Sequence, residues 1–467
     1  MHHPALSTSA STPLETRANA IVAALKQQAP TAASPAASGD AAPLLPPGHK
    51  FLHGIPHPIA ASPLFAVAAR APKGALLHCH LDAILPPSLL LADARARPNL
   101  CVRADAPLTS AGALAAALPI FQVLPAAEVR AAERAGASVF DAATVDGIWM
   151  LFKRSFMVLR GLTGYVTAWK NHFRRVLWHC ARDGVGYAEI RIPMKWDNFV
   201  WRDDGEVQLT RREMVGLLKE VLEEEEPKIK AEGLVWWGVR FIYGSYRLAE
   251  RENMKWMMDD AIDLKQAYPD LMCGQEDDGH SHLHWIEELL DFRARCDKLG
   301  LDYPFIFHAG ETLNSTTSSN LYDAILLSTK RIGHAFSLAR HPLLTQLCRD
   351  RGIAVESCPI SNEVLGLTPS GIKNHPLSVL LGHGVPCTIN SDDPGCWNSG
   401  VISHDWYQVL VGDGEMDLRG WRQLAEWSLE YSCMTAGEKE EALRVFGQEW
   451  EKFCGWVVET YGKEAQV

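Results

Sequence analysis

The sequence predicts an α/β fold, a (β/α)8 TIM barrel, on three observations. Eight short apolar runs recur along the chain, helical stretches separate them, and polar residues of metal-binding and acid–base type gather at their carboxyl ends. The runs are "GALLHCH" (74–80), "GYAEIRI" (186–192), "WWGVRFIY" (236–243), "LMCGQE" (271–276), "FIFHAGE" (305–311), "RIGHAF" (331–336), "IAVESCP" (353–359) and "VPCTINSDDP" (385–394). Between them lie stretches such as "RREMVGLLKEVLEEEE", where Met214, Leu217, Leu218, Val221 and Leu222 fall at helical spacing.

Residues 1–50 precede this alternation and are rich in Ala, Pro and Ser, a composition too poor in apolar side chains to offset ordering entropy. A disordered N-terminal tail is expected over 1–50, and a single barrel domain over 51–467. The apolar run "AIVAAL" near the start is only six residues long and follows no basic segment, so it does not read as a secretory signal, and a cytoplasmic protein is expected. After the first run a long helical insertion is expected. It carries Trp149, Phe152 and Phe156 at i, i+3 and i+7, a buried helix stripe before it is the roof of a pocket.

Composition narrows the function classes. No apolar run approaches the length of a membrane-spanning helix. A formal charge of −11 with no cluster of Lys and Arg argues against nucleic acid as a partner and favours a small substrate. The eleven cysteines are scattered without any C-x-x-C spacing, which reads as reduced thiols.

A barrel builds its site from the carboxyl ends of its strands, so His78 and His80, Glu189, Glu276, His308 and Glu311, His334, and Asp392 with Asp393 would converge. His-x-His puts two imidazoles on one face of a strand, because side chains alternate with period two. His308 and Asp392 would add a nitrogen and an oxygen, a donor set suited to zinc with one position left open.

The ordered motifs "LLHCHLDA", "FHAGET", "RIGHAF", "CPISN" and "INSDDP" resemble the adenosine deaminase family of metal-dependent hydrolases. "GYAEIR", "QEDDGHS", "FIFHAGET" and "KNHPLSVLL" resemble its growth-factor-like branch, the adenosine deaminase 2 type; the likeness spans roughly residues 70–460. The resemblance implies one Zn2+ per chain on His78, His80, His308 and Asp392, and a metal-activated water that attacks C6 of a purine. It implies that Glu311 protonates N1, that His334 orients the water and stabilises developing charge, and that Asp393 bonds purine N7, the alternative for Asp393 being a bond to Asp392. Gly274 would offer a backbone donor toward N3, and Asp82 a contact to a sugar hydroxyl. Glu189 is either a ribose contact or the ion-pair partner of a base such as Arg191. His280, His282 and His284 form a second histidine cluster, read as solvated or substrate-facing before it is read as another metal site.

The reaction so implied is hydrolytic deamination of adenosine or 2′-deoxyadenosine to inosine or deoxyinosine and ammonia. The partner is a small purine nucleoside, with neither nucleic acid nor membrane, and a homodimer is compatible with the branch. Deamination of AMP or a modified adenine compound is the alternative, with Lys195, Arg202 and Arg247 as cations for a phosphate. A non-catalytic signalling protein on the same scaffold is the third reading, and no ligand or acid is missing that would favour it.

Overall fold

The computed structural model describes residues 11–29, 58–95 and 149–463, apart from 150–151, 153–154, 157–158, 195–199, 279–282, 284, 313–318, 369–370 and 398. Its first half runs α1 (Pro13–Gln28), α2 (Pro63–Arg70), β1 (Ala75–Leu76), α3 (Pro87–Arg95), α4 (Val166–Arg182), β2 (Tyr187–Pro193), α5 (Arg211–Ala231), β3 (Gly238–Tyr246), α6 (Arg251–Ala267) and β4 (Met272–Asp278). The second half runs α7 (Ile286–Leu299), β5 (Ile306–Ala309), α8 (Asn320–Leu326), β6 (Arg331–His334), α9 (Pro342–Arg351), β7 (Ala354–Ser357), α10 (Pro359–Val364), α11 (Leu377–Gly382) and β8 (Cys387–Ile389), then α12 (Ser403–Gly412), α13 (Leu418–Glu430) and α14 (Ala436–Tyr461).

Each of the eight apolar runs contains a strand. All pair in parallel, β1 to β4 in one ladder and β5 to β8 in the other. Parallel bridges between Gln275 and Phe305 and between Cys79 and Asp392 join the two ladders at both seams, so the sheet closes into the expected barrel. On β2, Ile190 and Ile192 face outward into the apolar layer, while Glu189 and Arg191 take the alternate, inward direction and are equally buried. The helices cover that layer. In α5, Met214, Val215, Leu218 and Val221 form the buried stripe, and Thr210 with Glu213 closes the helix start as a capping box.

Strand β1 covers only Ala75–Leu76 of its run, and β8 only Cys387–Ile389. Beyond Leu76 the chain leaves the regular ladder, and Leu77 and His78 donate their backbone N–H groups to Asn390 Oδ1 at 2.9 and 3.0 Å. A side chain from the end of β8 thus does the work of a ladder and frees the backbone to turn its histidines upward. In β4 the register shifts, with Met272 opposite Phe241 but Gly274 opposite Ile242, so one residue is bulged out.

The expected tail needs correction over Pro13–Gln28, which form α1. Thr12 caps it, Ala18, Ile21, Val22 and Leu25 present a buried stripe at helical spacing, and Glu15 accepts from Trp450 Nε1 of α14 at 2.8 Å. The Ala- and Pro-rich residues around this segment obscured that stripe; residues 1–10 and 30–57 lie outside the described residues. Ile21→Ala is therefore expected to cost about 2–5 kcal/mol, the usual penalty for emptying a buried aliphatic position. Denaturant unfolding checks it, since a disordered segment would give no change. Among the described residues, no helix is long and apolar enough to cross a membrane.

Candidate active site and metal centre

His78, His80, His308 and Asp392 offer ligand atoms that all lie within 4.8 Å of one another. Asp392 Oδ1 is 3.3 Å from His78 Nε2 and 3.2 Å from His80 Nε2. The barrel seam fixes this geometry: Asp392 N donates to His78 O at 3.1 Å, and His80 N donates back to Asp392 O at 3.2 Å. Asp392 pays for the position with a left-handed backbone (φ 61°), and Ser361 Oγ donates to its Oδ2 at 2.7 Å. Burial pushes the Asp392 carboxyl up, but the imidazoles of His78, His80 and His334 around it together outweigh that and hold it well below the usual carboxylate range. Three imidazoles and an ionised carboxylate fit a divalent cation, and the buried His78 Nε2 has no hydrogen bond among the described residues.

Behind the ligands lies a buried charge network. His78 Nδ1 meets Glu356 Oε2 at 2.7 Å, and His308 Nδ1 meets Glu276 Oε1. Burial works to protonate both carboxylates; Arg191, with Arg331 for Glu356 and His308 for Glu276, more than offsets it and keeps both pKa values below the ordinary range. An ionised carboxylate only accepts, so each histidine carries its proton on Nδ1 and turns the Nε2 lone pair toward the metal position. Arg191 joins Glu276 to Glu356, and Arg331 joins Glu356 (2.6 Å) to Glu189 (2.6 Å).

Glu311 and His334 group closely with His308 beside the cluster. The turn after β5 needs Gly310, whose φ is +66° and whose added Cβ would lie 2.8 Å from Leu321, so the two small residues of "HAGE" serve the turn before they serve a purine. His334 Nε2 lies 3.4 Å from Glu311 Oε1 and 3.8 Å from Asp392 Oδ2. Gly333 beneath it makes room for the His78 ring, because a Cβ there would come within 2.8 Å of His78 Cε1. Asp393 is buried beside Asp392, and Asp82 faces Arg160 at 3.5 Å. Phe156 stands with its ring 6.3 Å from that of His80, and Phe152 stacks on Trp397 at 5.6 Å. The aromatic stripe is thus both helix packing and a wall beside the site.

Two expected substrate contacts fall elsewhere. Glu189 is fully buried at the amino end of the barrel, its carboxylate held by Arg331 and by the backbone N–H of Cys433, so it is an ion-pair residue, with Arg331 rather than Arg191 as partner. Gly274 lies in the β3–β4 wall, two residues before Glu276, which itself sits behind a metal ligand; a Cβ at Gly274 would meet Ile306 Cδ1 at 2.7 Å, so packing explains the glycine. The cluster His280, His282 and His284 lies outside the described residues. Glu189, Cys273 and Cys433 also group closely, yet Arg331 sits against both Glu189 and the Cys433 sulfur (3.7 Å), which opposes a second cation.

Against known families, a model described as adenosine deaminase matches residues 123–445. The chain belongs to the adenosine deaminase family. An adenosine deaminase of Phlebotomus duboscqi is 34% identical over 444 residues, covering 88% of this chain and 81% of that one. Adenosine deaminase 2 of Homo sapiens is 33% identical over 318 residues, covering 66% and 59%. These place the chain in the adenosine deaminase 2-like branch, as a hydrolase of the class that deaminates cyclic amidines and acts on adenosine-like substrates. In fold it is similar to the N6-methyl-AMP deaminase from Arabidopsis thaliana, with a TM-score of 0.58, 18% identity and coverage of 82% and 98%. A zinc-bound amidohydrolase from "Burkhoderia ambifaria" gives 0.59, 17%, and 85% and 94%.

The deaminase site also keeps buried histidines neutral, which sets a pH response. Burial lowers His334 from 6.5 to about 4, against the pull of Glu311 and Asp392, and lowers His375 to about 3. The unfolded chain then binds more protons below about pH 6.5, so stability is complete above that value and falls as pH drops toward the folded pKa values. Each histidine contributes a slope approaching about 1.4 kcal/mol per pH unit in that window. Denaturant unfolding of metal-stripped protein across it checks this; a flat profile down to the carboxylate range would contradict it.

Proposed function

We propose that this chain is a zinc-dependent hydrolase that converts adenosine or 2′-deoxyadenosine to inosine or deoxyinosine and releases ammonia. The observation that carries the reading is the three-histidine, one-aspartate cluster with Glu311 and His334 3.4 Å apart beside it. When bound, one zinc per chain supplies Lewis-acid activation of a water, bringing its pKa to about 7. The protein's own residues do the rest.

Glu311 delivers a proton to purine N1, which breaks the aromaticity of the ring and makes C6 electrophilic. His334 holds the incoming oxygen by its Nε2 and stabilises the charge that develops there. Asp393 reads N7, and Asp82 takes a sugar hydroxyl with Arg160 steadying its carboxylate. Burial of Glu311, His334 and Asp393 keeps water out of these contacts. His334→Ala is expected to leave zinc content intact and lower turnover about 10²-fold, the usual contribution of a positioned acid–base group. Metal analysis beside kcat checks it, because a parallel loss of zinc would make His334 a ligand.

A nucleotide substrate is the second reading, and the cations considered for its phosphate weaken it. Arg247 is fully buried and donates to His308 O at 2.8 Å, and Arg202 is exposed beside Glu213 at 3.6 Å. Lys195 lies outside the described residues. Incubation of zinc-loaded protein with adenosine, 2′-deoxyadenosine, AMP and adenine, following ammonia release, should rank the two nucleosides first. AMP in first place would support the nucleotide reading, and no release from any of the four would overturn both.

A further inference from the structure

We infer that Asn362 and His375 form a positioning relay that holds His334 in the neutral tautomer with its proton on Nε2, so that the ring meets substrate as a hydrogen-bond donor. The inference deepens the proposed role of His334 and rests on it. "CPISN" and "KNHPLSVLL" contribute one residue each to the relay, Asn362 and His375, and the site chemistry above uses neither.

The direction of the relay is set from its far end. The backbone N–H of Leu377, which can only donate, points at His375 Nδ1 at 3.1 Å. His375 Nδ1 must therefore accept, so the neutral ring carries its proton on Nε2. That proton meets Asn362 Oδ1 at 2.9 Å, which fixes the amide orientation without reference to how oxygen and nitrogen were assigned. The Asn362 NH2 is left to face His334 Nδ1 at 3.1 Å. His334 Nδ1 accepts in turn, and its proton is driven to Nε2.

Two further observations agree. All three side chains are buried, so bulk water cannot replace a link. On its other side, His334 Nε2 lies 3.4 Å from Glu311 Oε1 and 3.8 Å from Asp392 Oδ2, acceptors suited to an N–H. A ring so held donates to the oxygen added at C6 and does not serve as its base.

The test reads the tautomer directly. Zinc-loaded protein labelled with 15N-histidine should give a His334 signal, assigned by its loss in His334→Gln, with a protonated Nε2 and an unprotonated Nδ1. Asn362→Asp, whose carboxylate accepts where the amide donated, should protonate Nδ1 and lower kcat for adenosine about 10²-fold, with KM and zinc content near wild type. His375→Gln keeps an N–H donor toward Asn362 and should retain most of kcat, while His375→Leu should not. A wild-type spectrum with the proton on Nδ1 overturns the relay, whether or not any variant folds, as does an Asn362→Asp protein of wild-type tautomer and kcat. If the spectrum is as expected while His334→Ala keeps full turnover, the relay stands and the proposed role of His334 falls.

Discussion

Glu311→Gln is expected to bind zinc and adenosine as the wild type does while turnover falls about 10²- to 10⁴-fold. Glutamine keeps the size and hydrogen-bonding reach of the side chain, but it has no carboxyl proton to give to N1. The competing account makes Glu311 a support for the ligand His308, in which case added zinc would restore activity. The structure weighs against that account, because His308 already has its carboxylate partner in Glu276 on Nδ1. Turnover of Glu311→Gln against zinc concentration should therefore stay low and flat at full metal occupancy, and a return to near wild-type rate would refute the proton-donor role.

Glu356→Gln is expected to destabilise the protein by about 3–5 kcal/mol, the scale of removing one partner from a buried ion pair. Glu356 sits between Arg331, at 2.6 Å from Oε1, and Arg191, at 2.7 Å from Oε2, and all three are buried. Without its charge, the carboxylates left to the two guanidinium groups among the described residues are Glu276 and Glu189. The same change removes the carboxylate from His78 Nδ1, so zinc affinity should also fall, by about 10- to 100-fold. Unfolding free energy and zinc titration measure the two effects separately. Loss of affinity with unchanged stability would mean that the arginines find other partners.

Glu356 also marks where the sequence was legible and where it was not. Polar residues at strand ends were readable because a barrel sends them all to one mouth, and His78, His80, His308, Glu311, His334 and Asp392 do meet there. A charged residue inside an apolar run was harder. Glu189, Arg191, Arg331 and Glu356 sit on strands buried on both faces, so period-two alternation could have turned them into the barrel interior, but which carboxylate meets which arginine depends on contacts over 100 residues apart in the case of Glu189 and Arg331. Gly274 was read as a substrate contact, whereas the structure sets it in the β3–β4 wall beside a register shift, and no single-strand pattern announces such a shift. Asn390 stayed hidden inside "INSDDP" because its role, bonding two backbone N–H groups of another strand, exists only once the seam has closed.

The most direct measurement of the central claim is ammonia released from adenosine as zinc is added back to metal-stripped protein. Activity is expected to rise with bound zinc and level off at one zinc per chain, with the Asp392→Asn protein failing to follow. Deamination by protein that holds no metal, or none at full occupancy, would contradict it.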